Sequence, residues 1–455
     1  MTARPWILLP VEIKAREFHA KVLQAAVAAE RGFDVVIGEQ NALQRALVQL
    51  PRGVIIDKSV DRSKAAIFRR AQGLGFRVAS WCEEGLVYRD RDTYLHERVY
   101  NESLAPVERF FAWGEVQRGD MMLKAPEAAA KIRVTGHPRF DLLRPDLRAV
   151  YDAEVADIRR RYGRYILVAT NFSRFNHFMG YDFSINVLRQ RGTIASDEQL
   201  AFFRRWRDYI EVLYRGFVAA LPALRKAFPD HAIIVRPHPS ENHDQWCKEV
   251  AGLSDVTVAF ESSAIPWIAG CDVLLHNSCT TGVEAYLLDR PVVAYRPTTD
   301  AALDSHLPHA LSQAAATVEE LIAMVATALD GMLSPPGAAA AEAARYVAAI
   351  HGTWAAERVV DELSELAIAP AEYRAGLAAR MRGLVGQVRH VMAGPVRRLR
   401  MGRGFSDYAR QKNPGVSATE ITEFLHHLRT ASGRFGAVTM APLPVRECFR
   451  ISLRR

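Results

Sequence analysis

Short apolar runs alternate with helical patterns along most of the chain, and that alternation sets the expected fold. An apolar run at residues 6–11 leads into a helical pattern at 15–30, and further apolar runs follow at 33–38, 53–57, 76–81, 109–113 and 132–136. Strands separated by helix-length crossovers pair in parallel, because the chain must return to the same end of the sheet before it can pair again. A charged helical connector spans 147–162. The alternation then restarts with a run at 165–170, a long helical pattern at 198–228, and runs at 232–235, 256–258, 272–275 and 291–295. The expectation is an α/β protein with two Rossmann-like parallel-sheet domains facing a cleft and a helical C-terminal tail. Domain boundaries are placed at 1–150, 151–335 and 336–455. Strands are expected to cease after residue 330, where Ser334-Pro335-Pro336-Gly337 interrupts the pattern. An Ala-rich stretch at 338–366 then predicts one or two helices. A basic segment follows, with a turn at Asn413-Pro414-Gly415 and a last helix at 418–430.

Composition narrows the class. A chain of 455 residues with 49% hydrophobic and 24% charged residues has ample length for two or three cores and the balance of an ordinary globular protein. Residues 1–30 carry no signal-peptide pattern and no apolar window is long enough to span a bilayer, so a soluble cytoplasmic protein is expected. The five cysteines, Cys82, Cys247, Cys271, Cys279 and Cys448, form no CxxC pair, which favours reduced thiols over a disulfide framework or a zinc site. The net charge of +8 is uneven, with Arg380, Arg382, Arg389, Arg397, Arg398, Arg400 and Arg403 crowding the 374–410 segment. Such a segment lies on anionic lipid, binds nucleic acid or forms a solvated helix face. With few aromatics and no nucleic-acid motif, peripheral contact with the inner face of the membrane is preferred over nucleic acid.

Candidate chemistry gathers where apolar runs end. Val235-Arg236-Pro237-His238-Pro239 follows one run and His276-Asn277-Ser278-Cys279-Thr280-Thr281-Gly282 follows another, which places polar groups at the carboxyl ends of strands, where open α/β sheets bind ligands. The second segment opens a helix containing Glu284. Hydroxyls and N–H groups at a helix start make an anion site, and Arg236 and His238 from the neighbouring strand end would add donors to the same anion, most simply a nucleotide's phosphates. The bland reading is a set of ordinary N-caps and a loop histidine. In the first half, Trp81-Cys82-Glu83-Glu84-Gly85 leaves a strand with two acids. Either could act as general base or nucleophile, or the pair could be solvated. Lys14 after the first strand, Lys58 after the third, and Asn171 with Ser173 at the opening of the second domain complete the set. No DxD-type arrangement sits at a strand end, so no metal and no resident cofactor are expected.

Together these residues resemble a bacterial family of surface carbohydrate biosynthesis proteins. The likeness rests on residues 7–17 and 51–59, on Glu83-Glu84-Gly85, Val134-Thr135-Gly136-His137-Pro138-Arg139-Phe140-Asp141 and Ala169-Thr170-Asn171-Phe172-Ser173, and on Arg236-Pro237-His238-Pro239 with residues 277–286. The family is similar to GT-B glycosyltransferases of the sialyl-, polysialyl- and Kdo-transferase type, which share an acidic-acidic-Gly motif, a His-Pro motif and a Ser/Thr pair. The resemblance implies a GT-B-like fold with the acceptor on the N-terminal side and the donor on the C-terminal side. It implies Glu83 or Glu84 as the catalytic carboxylate, His238 at the donor phosphate, and Ser278 with Thr280 or Thr281 at the nucleotide phosphate. Both acids are Glu where sialyltransferases often use Asp. The expected function is metal-independent transfer of an acidic ulosonic sugar from a CMP donor to a glycan or lipid-linked glycan acceptor. In that reading Arg236, Pro239 and Asn277 line the donor side, Glu284 holds the ribose, and Lys14, Lys58, Asn171 and Ser173 meet the donor's carboxylate or phosphate. The alternatives are a CDP-glycerol-type polyol-phosphate transferase, a UDP-sugar 2-epimerase, and a non-catalytic glycan-assembly factor.

Overall fold

The computed structural model describes residues 3–190, 192–371 and 414–454. Two compact units are present. One comprises Met1–Leu86, Asp92–Val150 and Arg345–Arg455, and the other Val87–Arg91 and Tyr151–Ala344. Each is a Rossmann-like α/β unit around its own sheet, as the alternating pattern predicts.

The first unit contributes strands β1 (Trp6–Val11), β2 (Asp34–Glu39), β3 (Val54–Asp57), β4 (Arg77–Ser80), β5 (Arg109–Ala112) and β6 (Ile132–Val134). All six are parallel, in the order β2-β1-β3-β4-β5-β6. The order reverses between β1 and β3, and ligand crevices open at such points. The strands read as continuous apolar runs because helices cover both faces; Ile7, Leu8, Val36, Ile56 and Phe110 are fully buried. The helix Lys14–Glu30 is buried over most of its circumference. Its run of alanines lets the helices Ala355–Ser364 and Ala418–Ser432 approach closely.

The second unit holds β7 (Tyr165–Ala169), β8 (Ala232–Arg236), β9 (Val256–Val258), β10 (Val273–His276), β11 (Val292–Tyr295) and β12 (Gln313–Ala315). The order is β12-β11-β10-β7-β8-β9, all parallel, with the reversal between β10 and β7. The 31-residue helix Asp197–Ala227 closes the core with Phe217, Leu221 and Leu224 against Ile233, Val235 and Val293. A Ser196/Gln199 capping box starts that helix.

The expectation that strands cease after residue 330 is corrected. Two further strands, β13 (Val438–Pro442) and β14 (Cys448–Leu453), form a hairpin, and β14 pairs antiparallel with β2, extending the first sheet to eight strands. The predicted helices of the tail are present alongside it. The basic 374–410 segment lies outside the described residues. No helix among the described residues is long and apolar enough to cross a membrane.

Candidate functional site

In the second unit, β7 stands between β8 and β10, so the two predicted motifs are not on adjacent strands. His276, Ala169 and Arg236 sit side by side in register, and the outer two are two strand spacings apart, roughly 10 Å. The reversal between β10 and β7 is closed by Asn277, which is buried. Its Oδ1 accepts from Asn171 N at 2.8 Å and its Nδ2 donates to Asn171 O at 3.1 Å. Asn277 therefore stitches two strand ends together, and its expected contact with a donor is corrected to this structural role. Ser173 Oγ turns back on Asn171 Oδ1 at 3.5 Å.

His276 shapes the helix start. Its ring is fully buried, and burial pushes its pKa down to about 3, so it is neutral. Nδ1 accepts from Ser278 N at 3.0 Å and Cys279 N at 3.4 Å; Nε2 meets Ser312 Oγ at 2.8 Å, and Ser312 Oγ donates to Pro308 O. With Nδ1 accepting, the ring proton belongs on Nε2. The histidine thus holds the turn that leads into the helix Thr280–Leu287. A Cβ on Gly282 would lie 2.6 Å from the ring, so only glycine lets the first turn pack on it. The Ser278 and Cys279 N–H groups, just ahead of the helix, are consequently taken up by His276. What the turn offers outward is Ser278, held at φ 92° with its Oγ 3.4 Å from Ser305 N, and Thr280 at the head of the helix. Such a φ is strained for serine and persists only where the surroundings enforce it. The hydroxyl and N–H of Thr281 lie against the buried Cys279 thiol, and Glu284, one turn further on, is buried.

At the end of β8, Arg236 departs from its expected role. Its guanidinium is buried, donates to Glu261 O at 2.9 Å and Ser262 O at 2.8 Å, and packs over the Phe260 and Trp267 rings. It anchors the chain after β9, a correction the sequence could not anticipate because the acceptors are backbone carbonyls twenty-five and twenty-six positions away. His238 is half-buried beside Pro239, and its Nδ1 accepts from Ser240 N at 3.2 Å, which puts the ring proton on Nε2. The residue that organises this corner is Glu241. Fully buried, it accepts from Thr170 Oγ1 (2.8 Å), Phe172 N (3.0 Å), His238 N (3.0 Å) and Trp246 Nε1 (2.8 Å). Burial pushes its pKa up, against these four donors. Nothing local in Pro239-Ser240-Glu241 signals the role, since two of the donors come from the end of β7.

At the carboxyl end of the first sheet the chemistry is ionic. Glu12 and Lys58 form an ion pair across the reversal between β1 and β3. Lys58 is pushed down to about 8, chiefly by burial and then by Lys64. Glu83 and Glu84 part company. Glu83 is buried, with Lys21 Nζ at 3.7 Å, His137 Nε2 at 3.6 Å and Arg139 at 4.0 Å, while Glu84 is half-exposed between Arg16 and Arg98. Burial would raise the Glu83 pKa, but the surrounding positive charge wins and holds it well below the usual carboxylate range. Lys21 joins Glu83 to Glu17, which in turn accepts from Glu12 N and Ile13 N at the start of its helix. His137 stacks on Trp113 at 4.1 Å and is held neutral by burial, with Nδ1 accepting from Arg139 N. Gly85 is required by packing, because a Cβ there would lie 2.0 Å from Gln117 Nε2, whose amide bridges Trp113 N and Tyr94 Oη. Lys14 is not presented alone; its ammonium pairs with Glu420 of the C-terminal helix. His137, Lys21, Glu241 and Glu420 all escape a reading of strand-end motifs. His137 does sit in the Gly136-His137-Pro138 turn, a pattern that parallels His238-Pro239. Among the described residues no group of three or more His, Cys, Asp or Glu side chains is arranged to hold a metal ion.

No protein-family model matches the chain, and no curated protein matches it. Solved structures with a similar chain path include the UDP-GlcNAc 2-epimerase of Methanocaldococcus jannaschii, in complex with UDP-GlcNAc and UDP (14% identity, 79% of this chain and 99% of that chain, TM-score 0.48). The UDP-GlcNAc 2-epimerase of Neisseria meningitidis bound to UDP-GlcNAc is similar at 12% identity, over 79% of this chain and 99% of that chain, with a TM-score of 0.47. The wall teichoic acid polymerase TagF matches 64% of this chain and 67% of its own at 12% identity and a TM-score of 0.42.

Proposed function

We propose that this protein is a sugar-processing enzyme that acts on a nucleotide-activated sugar. The second unit holds the nucleotide and the first supplies acid–base chemistry. The observation that carries the reading is topological: in each sheet the polar motif sits at the carboxyl ends of the strands around the order reversal, where this architecture binds ligands. On the nucleotide side, His238 Nε2–H, the Ser278 hydroxyl and the head of the Thr280 helix are donors suited to a departing phosphate. In the first unit Glu84 is the half-exposed carboxylate, suited to accept a proton from an attacking hydroxyl. Glu83, locked among Lys21, His137 and Arg139, keeps that corner charged and ordered.

The finer reading is a glycosyltransferase that moves an acidic ulosonic sugar from a CMP donor to a surface glycan, with the cationic groups around Glu84 receiving the sugar carboxylate. Thermal-shift titration with CMP, CDP, UDP and GDP tests the nucleotide, since a ligand bound only by the folded state raises stability with its affinity. Preference for CMP supports the ulosonic donor. Incubation with CMP-Kdo, CDP-glycerol and UDP-GlcNAc then separates transfer from its rivals. CMP release that needs an acceptor supports the transferase, acceptor-free turnover of UDP-GlcNAc makes the protein an epimerase, and CDP-glycerol turnover makes it a polyol-phosphate transferase. No stabilisation by any nucleotide and no release from any donor leaves a non-catalytic assembly factor. Replacing His238 by Ala should lower turnover by about a hundredfold or more with folding intact; equal turnover removes it from the mechanism.

A further inference from the structure

The C-terminal helix reaches the charged end of the first sheet. Ala418–Ser432 begins with a capping box in which Ser417 Oγ accepts from Glu420 N and the Glu420 carboxylate accepts from Ser417 N at 3.1 Å. The other Glu420 oxygen takes the Lys14 ammonium at 2.5 Å. Lys14 opens the helix that follows β1, two residues from Glu12 and from Arg16, which pairs with Glu84. The helix is fixed in this position by a scaffold of its own. Ile421, Phe424, Leu425 and Leu428 are buried, and Phe424 stacks on His19 of the facing helix at 4.1 Å and 5°. Arg434 pairs with Glu30 and Glu357, and the following hairpin is zipped onto β2. A carboxylate held on a buried scaffold restricts a long, flexible lysine to one place, where its charge meets an anion without first being ordered.

We infer that Glu420, supplied by the C-terminal helix, is a positioning residue for Lys14, and that the pair sets the affinity of the first unit for an anionic group of the activated sugar. This rests on the proposed function. The Glu420→Gln variant isolates the effect, because glutamine completes the capping box as well as glutamate does but carries no charge for Lys14. In the full chain E420Q should melt within a few degrees of wild type. Lys14 should be acetylated several times faster by an amine-reactive reagent, read by peptide mass spectrometry. KM for the donor that wild type turns over should rise about tenfold with kcat changed less than twofold. The charge-reversed K14E/E420K chain, which restores an ion pair but puts a carboxylate where the ammonium was, should not regain KM. Unchanged acetylation and KM in E420Q overturn the inference, as does recovery of KM by charge reversal, which would make the pair a structural bridge alone. If wild type releases nucleotide from no donor, the enzymatic reading fails by itself. The acetylation arm still decides the tether, with equal rates counting against it and a faster rate in E420Q for it.

Discussion

At the carboxyl end of the first sheet the order reversal is spanned by an ion pair, Glu12 with Lys58; at that of the second it is spanned by an amide, Asn277, that donates to and accepts from one backbone residue. The same topology is thus completed by opposite chemistries. The first end is dense in charge, with Glu17, Lys21, Glu83, His137 and Arg139 compensating one another behind a tryptophan wall. The second is mostly neutral donors and acceptors, with the buried acid Glu241 gathering the loop after β7 and the loop after β8. Buried ions tolerate the loss of a partner badly because each was desolvated for the other, whereas a hydrogen-bonded lattice loses one increment at a time. The first arrangement suits a site that must accept and release charge. The second suits loops whose backbone must keep one shape.

The largest difference should come from removing one acid on each side. Glu83→Ala strips Lys21 and Arg139 of a shared counter-charge and should destabilise the protein by about 3–5 kcal/mol in urea unfolding; a change under about 1 kcal/mol would show the charges are satisfied without it. Glu241→Gln turns one acceptor into a donor facing other donors and should cost about 1–3 kcal/mol. Parity of the two variants would erase the contrast between ionic and neutral ends.

Acid should act on the second end through His276. Its folded pKa is depressed to about 3 against roughly 6.5 unfolded, so between those values the unfolded chain binds the extra proton. The stability contributed by the neutral ring is therefore present above about pH 6.5 and is lost as pH falls, at roughly 1.4 kcal/mol per pH unit. His276→Asn keeps an acceptor for Ser278 N and cannot titrate, so its stability should fall less steeply between pH 6.5 and 4; parallel curves would mean the ring ionises freely. Glu83 acts in the same direction within the first end, but at lower pH. Depressed as a carboxylate, it stabilises above about pH 4.5 and is lost only below that. The smallest effect is expected of Glu84→Gln. As a half-exposed acid it should change stability by no more than about 0.5 kcal/mol while turnover falls, and a large loss of stability would reassign it to structure.

Most of the fold was legible because the periodicity of buried strands and crossover helices is local. The ends of the strands that were expected fall within two residues of expectation, while the three-residue edge strand β12 carried no apolar run long enough to be read. The hairpin β13–β14 was not, because Pro442 and Pro444 punctuate a short run whose pairing partner, β2, lies at the far end of the sequence. Locations of Ser278, Thr280, His238 and the two acids at strand ends were legible for the same local reason. Their allegiances were not. Which glutamate faces inward depends on Lys21 and His137, and the fates of Arg236, Asn277 and Lys14 depend on partners that no spacing rule connects to them.

The zipped edge of β2 has a consequence for how the molecule comes into being. Arg450 meets Asp34 across 416 positions, so a ribosome must make nearly the entire second unit before the first sheet can receive its outermost hairpin. Until then β2 presents a bare row of amides to solvent or to a chaperone, the kind of edge that recruits stray strands. Shortening the chain from its carboxyl side should therefore be felt first as aggregation during synthesis, before any fault in chemistry can be measured.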